Sequence, residues 1–407
     1  LPNAPVIPGL RFDDLYFVND STGWAVNGNG EIYKTSDFGE SWTMQFYDGP
    51  QYFRSVEFFD DQNGLVGSLD GAVYRTTDGG ATWNDINLGL TEPVPGVCGI
   101  GHYGDTVLLV GIWSQPAFIV RSIDAGATWS YIDMSALAGG LVDCWFKGPD
   151  TVFVCGKGTN ATNGHGVILR SADAGLTWQE VGQSQYSNTY GWKLQFTSPL
   201  IGYASLAAAT TPDSHIMKTV DGGASWTTMT VVNQNIDMEG IGFVNDLEGW
   251  VGGWSTGMYH TTDGGNSWTY LNMGQNLNRY FFLSPELGYA SGMSIYKFTD
   301  VITDVTPAPA VHDVSTHQCD VYPNPSTGYV SINLQIIKPT RTILTVYDQN
   351  GRSVKEIFNG RLPAGTHDYA VDLSNMAPGI YFSVLRTDEH FLTKRINLIE
   401  SDTPDVR

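Results

Sequence analysis

The sequence predicts an all-β protein, a seven-bladed β-propeller followed by a small C-terminal β-sandwich. Three observations point there. Short apolar runs alternate with Gly, Asp and Asn turns, and no long amphipathic helical pattern interrupts them. One eight-residue pattern returns six times. After about residue 300 the repeat stops and a different pattern begins.

The repeated pattern is Ser/Thr-x-Asp-x-Gly-x-Ser/Thr-Trp, as in Thr76-Thr-Asp-Gly-Gly-Ala-Thr-Trp83. Its aspartates are Asp37, Asp78, Asp124, Asp173, Asp221 and Asp263, at steps of 41, 46, 49, 48 and 42 residues. Such a period suits four short strands and their turns. The chemistry of each box is local. A tight turn leaves backbone N–H groups without strand partners, and an Asp carboxylate accepts them. The Gly supplies a positive φ, and the Trp opens the next strand as a large packing residue. Around each box lies a unit of strand A, turn, strand B, turn, strand C, box turn and strand D. The boxes and the A–B turns therefore share one face of the ring. The B–C and D–A loops share the other. Tyr280–Phe298 reads as a seventh unit without a box and without a fourth strand. The Val6–Phe12 segment is expected to supply that strand and close the ring.

This unit resembles the Asp-box (BNR-type) propellers over about Leu15 to Thr299. The group includes bacterial sialidases, sortilin-type receptors, oligoxyloglucan hydrolases and the photosystem II stability/assembly factor-like proteins. The last is nearest in repeat length and wording. The resemblance implies the fold, and fold alone does not give an activity.

Residues 301–318 carry Pro307 and Pro309 and no periodicity, so 1–300 is expected to be the propeller and 301–318 a linker. The remainder, 319–407, contains Tyr322-Pro-Asn-Pro325, Asp348-Gln-Asn-Gly-Arg352 and Pro378-Gly-Ile-Tyr381. In that order these blocks resemble the type A C-terminal sorting domain of Bacteroidota type IX secretion. The resemblance implies that the secretion machinery is a partner through 319–407 and that the protein is secreted or displayed on the outer cell surface. No secretory leader precedes Leu1, so an exported protein is expected here in its mature form. No apolar run approaches the ~18 residues of a membrane span.

The formal charge is -21. Residues 319–407 hold 10 acidic and 9 basic residues, so 1–318 hold 32 and 12. That field repels nucleic acid and anionic lipid, leaving basic or neutral partners open. The four cysteines lack zinc spacing, and no metal or cofactor is expected. Cys144 and Cys155 flank a hairpin turn and are disulfide candidates, the other reading being two small buried residues that align. Cys98 and Cys319 have no assigned partner.

A ligand is expected on the face opposite the boxes. Variable loops on a rigid scaffold usually carry recognition, and the 41 to 49 residue steps place the variation in the B–C and D–A loops. The aromatics there are Trp113, Trp192 and Trp254, and the scarce cations are Arg54, Lys193 and Arg279. The other readings are partial burial between blades and pairing with surrounding acids. Asp237 and Glu239, two apart near a strand A start, are weak candidates for glycosidic acid/base work. A sialidase would need an Arg-Ile-Pro-like segment, whereas Val6 precedes Ile7-Pro8 here. Ser21, Thr106 and Thr151 lie in short Asp-Ser/Thr-apolar motifs associated with O-glycosylation in Bacteroidota. The expected function is a non-catalytic binding module for glycan or protein. An extracellular glycoside hydrolase and a structural subunit of a surface or adhesive assembly are the alternatives.

Overall fold

A computed structural model describes residues 11–299, 317–387 and 390–399, apart from 115, 160–163, 209–210, 255 and 349–350. Consecutive antiparallel sheets follow the sequence units, six of four strands and a last one of three. We call them units I to VII. Their inner strands are Phe12–Phe17, Phe53–Phe58, Gly99–Tyr103, Gly140–Phe146, Thr189–Phe196, Met238–Phe243 and Tyr280–Ser284. Apolar residues on both faces of each sheet make the core a series of slabs between neighbouring units. Leu65, Val97, Leu109 and Val120, for example, fill the space between units II and III.

Every box folds on one plan. In unit II the Thr76 hydroxyl donates to Asp78 Oδ1 (2.8 Å) and accepts from the Gly80 amide (2.8 Å). Asp78 in turn accepts the Thr82 amide and hydroxyl at 2.8 and 2.7 Å. Two successive residues, not the Gly alone, take the left-handed conformation. At three boxes the first of them is Phe38, Ala125 or Ala174, at φ 60, 54 and 57°. A side chain there is strained, and the hydrogen-bonded box holds it.

Most of the segment expected to close the ring, Val6–Leu10, lies outside the described residues. Phe12 begins the inner strand of unit I, so it does not add to unit VII. Among the described residues unit VII keeps three strands and abuts unit I directly. Phe17 stacks on Tyr289 at 4.0 Å, the Tyr289 hydroxyl donates to the Phe38 carbonyl, and the Phe12 amide donates to the Gly292 carbonyl.

Cations fasten most units to the next. Lys34 donates to the Gly79 carbonyl of the following box, Arg75 to Gly126, Arg121 to Ala174, Lys147 to Gly222 and Lys218 to Gly264, at 2.7–3.2 Å. Lys297 of unit VII reaches Glu40 of the first box in the same way at 2.7 Å; unit VII has no box to receive a latch from unit VI.

The C-terminal part is a sandwich. Gln318–Tyr322, Tyr329–Ile336 and Gly365–Asp372 form one sheet. His390–Leu398, Gly379–Thr387, Thr340–Asp348 and Ser353–Leu362 form the other. Ile332, Leu334, Leu344 and Ile396 lie in the core between them. The second sheet continues onto the propeller: Leu392 pairs with Ser41 on the outer strand of unit I, Ser41–Tyr47. Tyr347, Phe382 and Val384 join the apolar cluster of Phe12, Tyr33, Tyr289 and Ile295, and Arg386 pairs with Glu31 at 2.9 Å. No helix of the described residues is long and apolar enough to cross a membrane.

The cysteine expectation fails by one register step. Cys144 lies opposite Val154, while Cys155 lies opposite Asp143. Adjacent strand positions face opposite ways. Accordingly Cys144 packs between units III and IV and Cys155 between IV and V. Both are free thiols, as are Cys98 and Cys319.

Candidate functional site at the propeller axis

Inner strands of a propeller bring residues far apart in sequence to one axis. Here they build a buried ion-pair plug. Asp143 of unit IV, with no exposed surface, accepts two hydrogen bonds from Arg279 of unit VII (2.8 and 3.2 Å). Arg279 also donates to Asp14 of unit I (2.8 Å). Lys193 Nζ of unit V lies 3.8 Å from Asp143. Burial alone would raise the Asp143 pKa, but Arg279 and Lys193 outweigh it and hold the carboxyl below its usual range. Burial, then the neighbouring Arg279, lowers Lys193 to about 8. Arg54 of unit II is buried beside Asp13 at 3.7 Å.

Above the plug, on the face opposite the boxes, stand the tryptophans. Trp113 and Trp192 stack at 6.2 Å, and the Arg54 guanidinium lies over Trp192 at 5.5 Å. Trp254 sits under Arg11 at 4.3 Å and donates to Glu239 at 2.6 Å. Trp113 and Trp254 are 37% and 43% exposed, whereas Arg54 and Lys193 are buried beneath. Four buried donors here make no hydrogen bond: Arg11 Nε and Lys193 Nζ, which have only ion-pair contacts, and Arg54 Nη2 and Trp192 Nε1.

Sequence reasoning missed Asp13, Asp14 and Asp143, the partners of the cations it singled out, and Arg11, the partner of Glu239. Their type was visible; their convergence was not. It also placed Asp237 and Glu239 on one strand face, and the structure removes that premise. Asp237 precedes the strand Met238–Phe243 at φ 49°, and a bulge follows Met238. Glu239 is already paired with Arg11. Burial raises the pKa of both carboxyls.

Ser21, Thr106 and Thr151 lie at A–B turns, on the box face and away from the tryptophans. The half-buried Ser21 hydroxyl bonds Asn19.

The family described as photosynthesis system II assembly factor YCF48 matches residues 47–179 and 193–290, more than half of the chain. The chain belongs to this family. A second family, the secretion system C-terminal sorting domain, matches residues 320–399. That domain indicates export by type IX secretion to the cell surface or the extracellular space. No curated protein matches. Among solved structures, one described as YCF48 bound to D1 peptide is 18% identical at a TM-score of 0.53, covering 73% of this chain and 96% of that one. YCF48 from Cyanidioschyzon merolae is 17% identical at 0.57, covering 73% and 98%. A GH74 enzyme from Niastella koreensis is 16% identical at 0.56, covering 96% of this chain and 66% of that one. Identities this low speak for the fold alone.

Proposed function

We propose that this exported YCF48-family propeller is a non-catalytic binding module that takes an extended segment of an extracellular protein on the face opposite its boxes. One observation carries the reading. Arg54 Nη2 and Trp192 Nε1 are buried donors without hydrogen-bond acceptors, and Lys193 Nζ has only the 3.8 Å ion pair with Asp143, all set beneath two exposed tryptophans. Buried donors normally have partners, and backbone carbonyls or a carboxylate would satisfy these. The tryptophan faces would then hold side chains on either side. The ion pairs favour binding over hydrolysis. Glu239 is engaged by Arg11 and Trp254, and Asp143 by Arg279 and Lys193. Neither is a free acid or base. A structural relative bound to D1 peptide supports a peptide ligand.

A glycan is the second reading, favoured by the exposed tryptophan planes, which stack on sugar rings. The full chain applied to a peptide array and a glycan array separates the two. Binding to peptides that Trp254→Ala weakens about tenfold, at unchanged melting temperature, supports the first reading. Selective glycan binding with the same sensitivity replaces it with the second. Turnover of a glycan would overturn the binding module altogether.

A further inference from the structure

The axis has a second mouth, on the box face, which the reading above does not use. Below the plug lies a cavity of about 270 Å³. Its aromatic walls are Tyr16, Trp145, Phe146 and Phe281, and Asp14 and Arg279 belong to its lining. At its side Glu57 Oε1 meets His102 Nδ1 at 2.7 Å, both side chains mostly buried. The geometry points to a cation site: we propose that the box-face mouth binds a protonated amine or guanidinium on an apolar stem, as a Lys or Arg side chain of a partner protein presents it.

Charge within the cavity is the first argument. Arg279 is committed to Asp14 and Asp143. Glu57 has one side-chain partner, an imidazole that is cationic only when protonated. With a neutral His102 the cavity carries one unmatched carboxylate inside an aromatic wall. Carboxylate plus ring faces is the environment that attracts an ammonium group.

The rim is the second and independent argument. The A–B turns that continue the cavity's five strands bear Asp20, Asp60, Asp61, Asp105, Asp150 and Glu286, all exposed. Lys147 is the one Lys or Arg in these turns, and it is turned outward onto the Gly222 carbonyl. The latch cations of this face are likewise bound to the next box. A mouth of one sign over a low-dielectric cavity concentrates ligands of the opposite sign. An apolar stem of a few methylenes then finds the aromatic walls.

The test compares two probes on the full chain, N-acetyl-lysine methylamide and its uncharged counterpart N-acetyl-norleucine methylamide, by NMR titration at low salt. The lysine probe should shift the His102 ring and Gly101 amide signals at least fivefold more tightly than the norleucine probe. Added salt should erase the difference, and Glu57→Gln should abolish it. Equal response to both probes, no response at tens of millimolar, or shifts confined to the tryptophan face would overturn the proposal. Should Glu57→Gln not fold, the two-probe comparison and its salt dependence on the unaltered chain still decide.

Discussion

The two ends of the propeller axis handle charge in opposite ways. On the tryptophan side acids and bases meet across the axis, so the field is balanced and the contact surface is aromatic. On the box side the cations are drawn outward onto neighbouring carbonyls, and the acids are left facing water. Residues 1–318 hold twelve basic residues, and the placement of ten of them makes the difference. Arg11, Arg54, Lys193 and Arg279 go to the axis; Lys34, Arg75, Arg121, Lys147, Lys218 and Lys297 go to the latches. The asymmetry teaches that a strongly acidic propeller need not be acidic at every opening.

The contrast breaks most sharply at Asp143. Asp143→Asn leaves Arg279 and Lys193 buried without their shared counter-ion. A loss of about 3–5 kcal/mol is expected, the scale for breaking a buried pair by removing one partner. Urea unfolding measures it. A loss under 1 kcal/mol would show that water replaces the carboxylate and that the plug is soft.

On the box side the expected effect is smaller. Thr76→Val removes the hydroxyl that both donates to Asp78 and accepts two amides. About 1–3 kcal/mol should go with it, because the Gly80 amide is left buried and unpaired. The same experiment should leave ligand binding at either mouth unchanged.

Acid sharpens the comparison furthest. Hydrogen bonds from the Thr128, Thr177 and Ser267 hydroxyls, then the amides of the same residues, hold Asp124, Asp173 and Asp263 at about 2, against the ordinary 3.8. A depressed carboxyl pKa stabilises the fold above the unfolded value, and that support is lost as pH falls through the folded one. Melting temperature should therefore hold down to about pH 4 and decline gradually towards pH 2. The carboxyls raised by burial, Glu57 and Glu239, act with the opposite sign, because the folded state then holds the proton more tightly; a steep loss already near pH 5 would therefore overturn the box account.

The fold was legible because each box is a local structure. Its hydroxyl, carboxylate and glycine lie within eight residues, so spacing alone reveals them six times over. The plug was not legible. Asp143 and Arg279 stand 136 positions apart, in strands whose apolar pattern does not mark them. The latches left a faint signal, a Lys or Arg just ahead of most boxes, which reads as an ordinary exposed strand residue until the next unit is in place. Cys144 and Cys155 show the limit from the other side. A hairpin was correctly sensed, but its register was off by one residue, and one residue reverses a side chain.

Closure of the ring has a consequence in time. Phe17 cannot stack on Tyr289, nor Lys297 reach Glu40, until the last unit has been synthesised. At ~5–20 residues per second the first unit waits on the order of 10–60 s with an aromatic flank open. Tyr347, Phe382 and Val384 of the C-terminal sandwich pack on a cluster that draws on both unit I and unit VII. Unit I offers the strand edge and Glu31 on its own, but the part of the surface made by Tyr289 and Ile295 is absent until unit VII has folded. The full apolar seat of the sandwich is thus complete only when units I and VII have met.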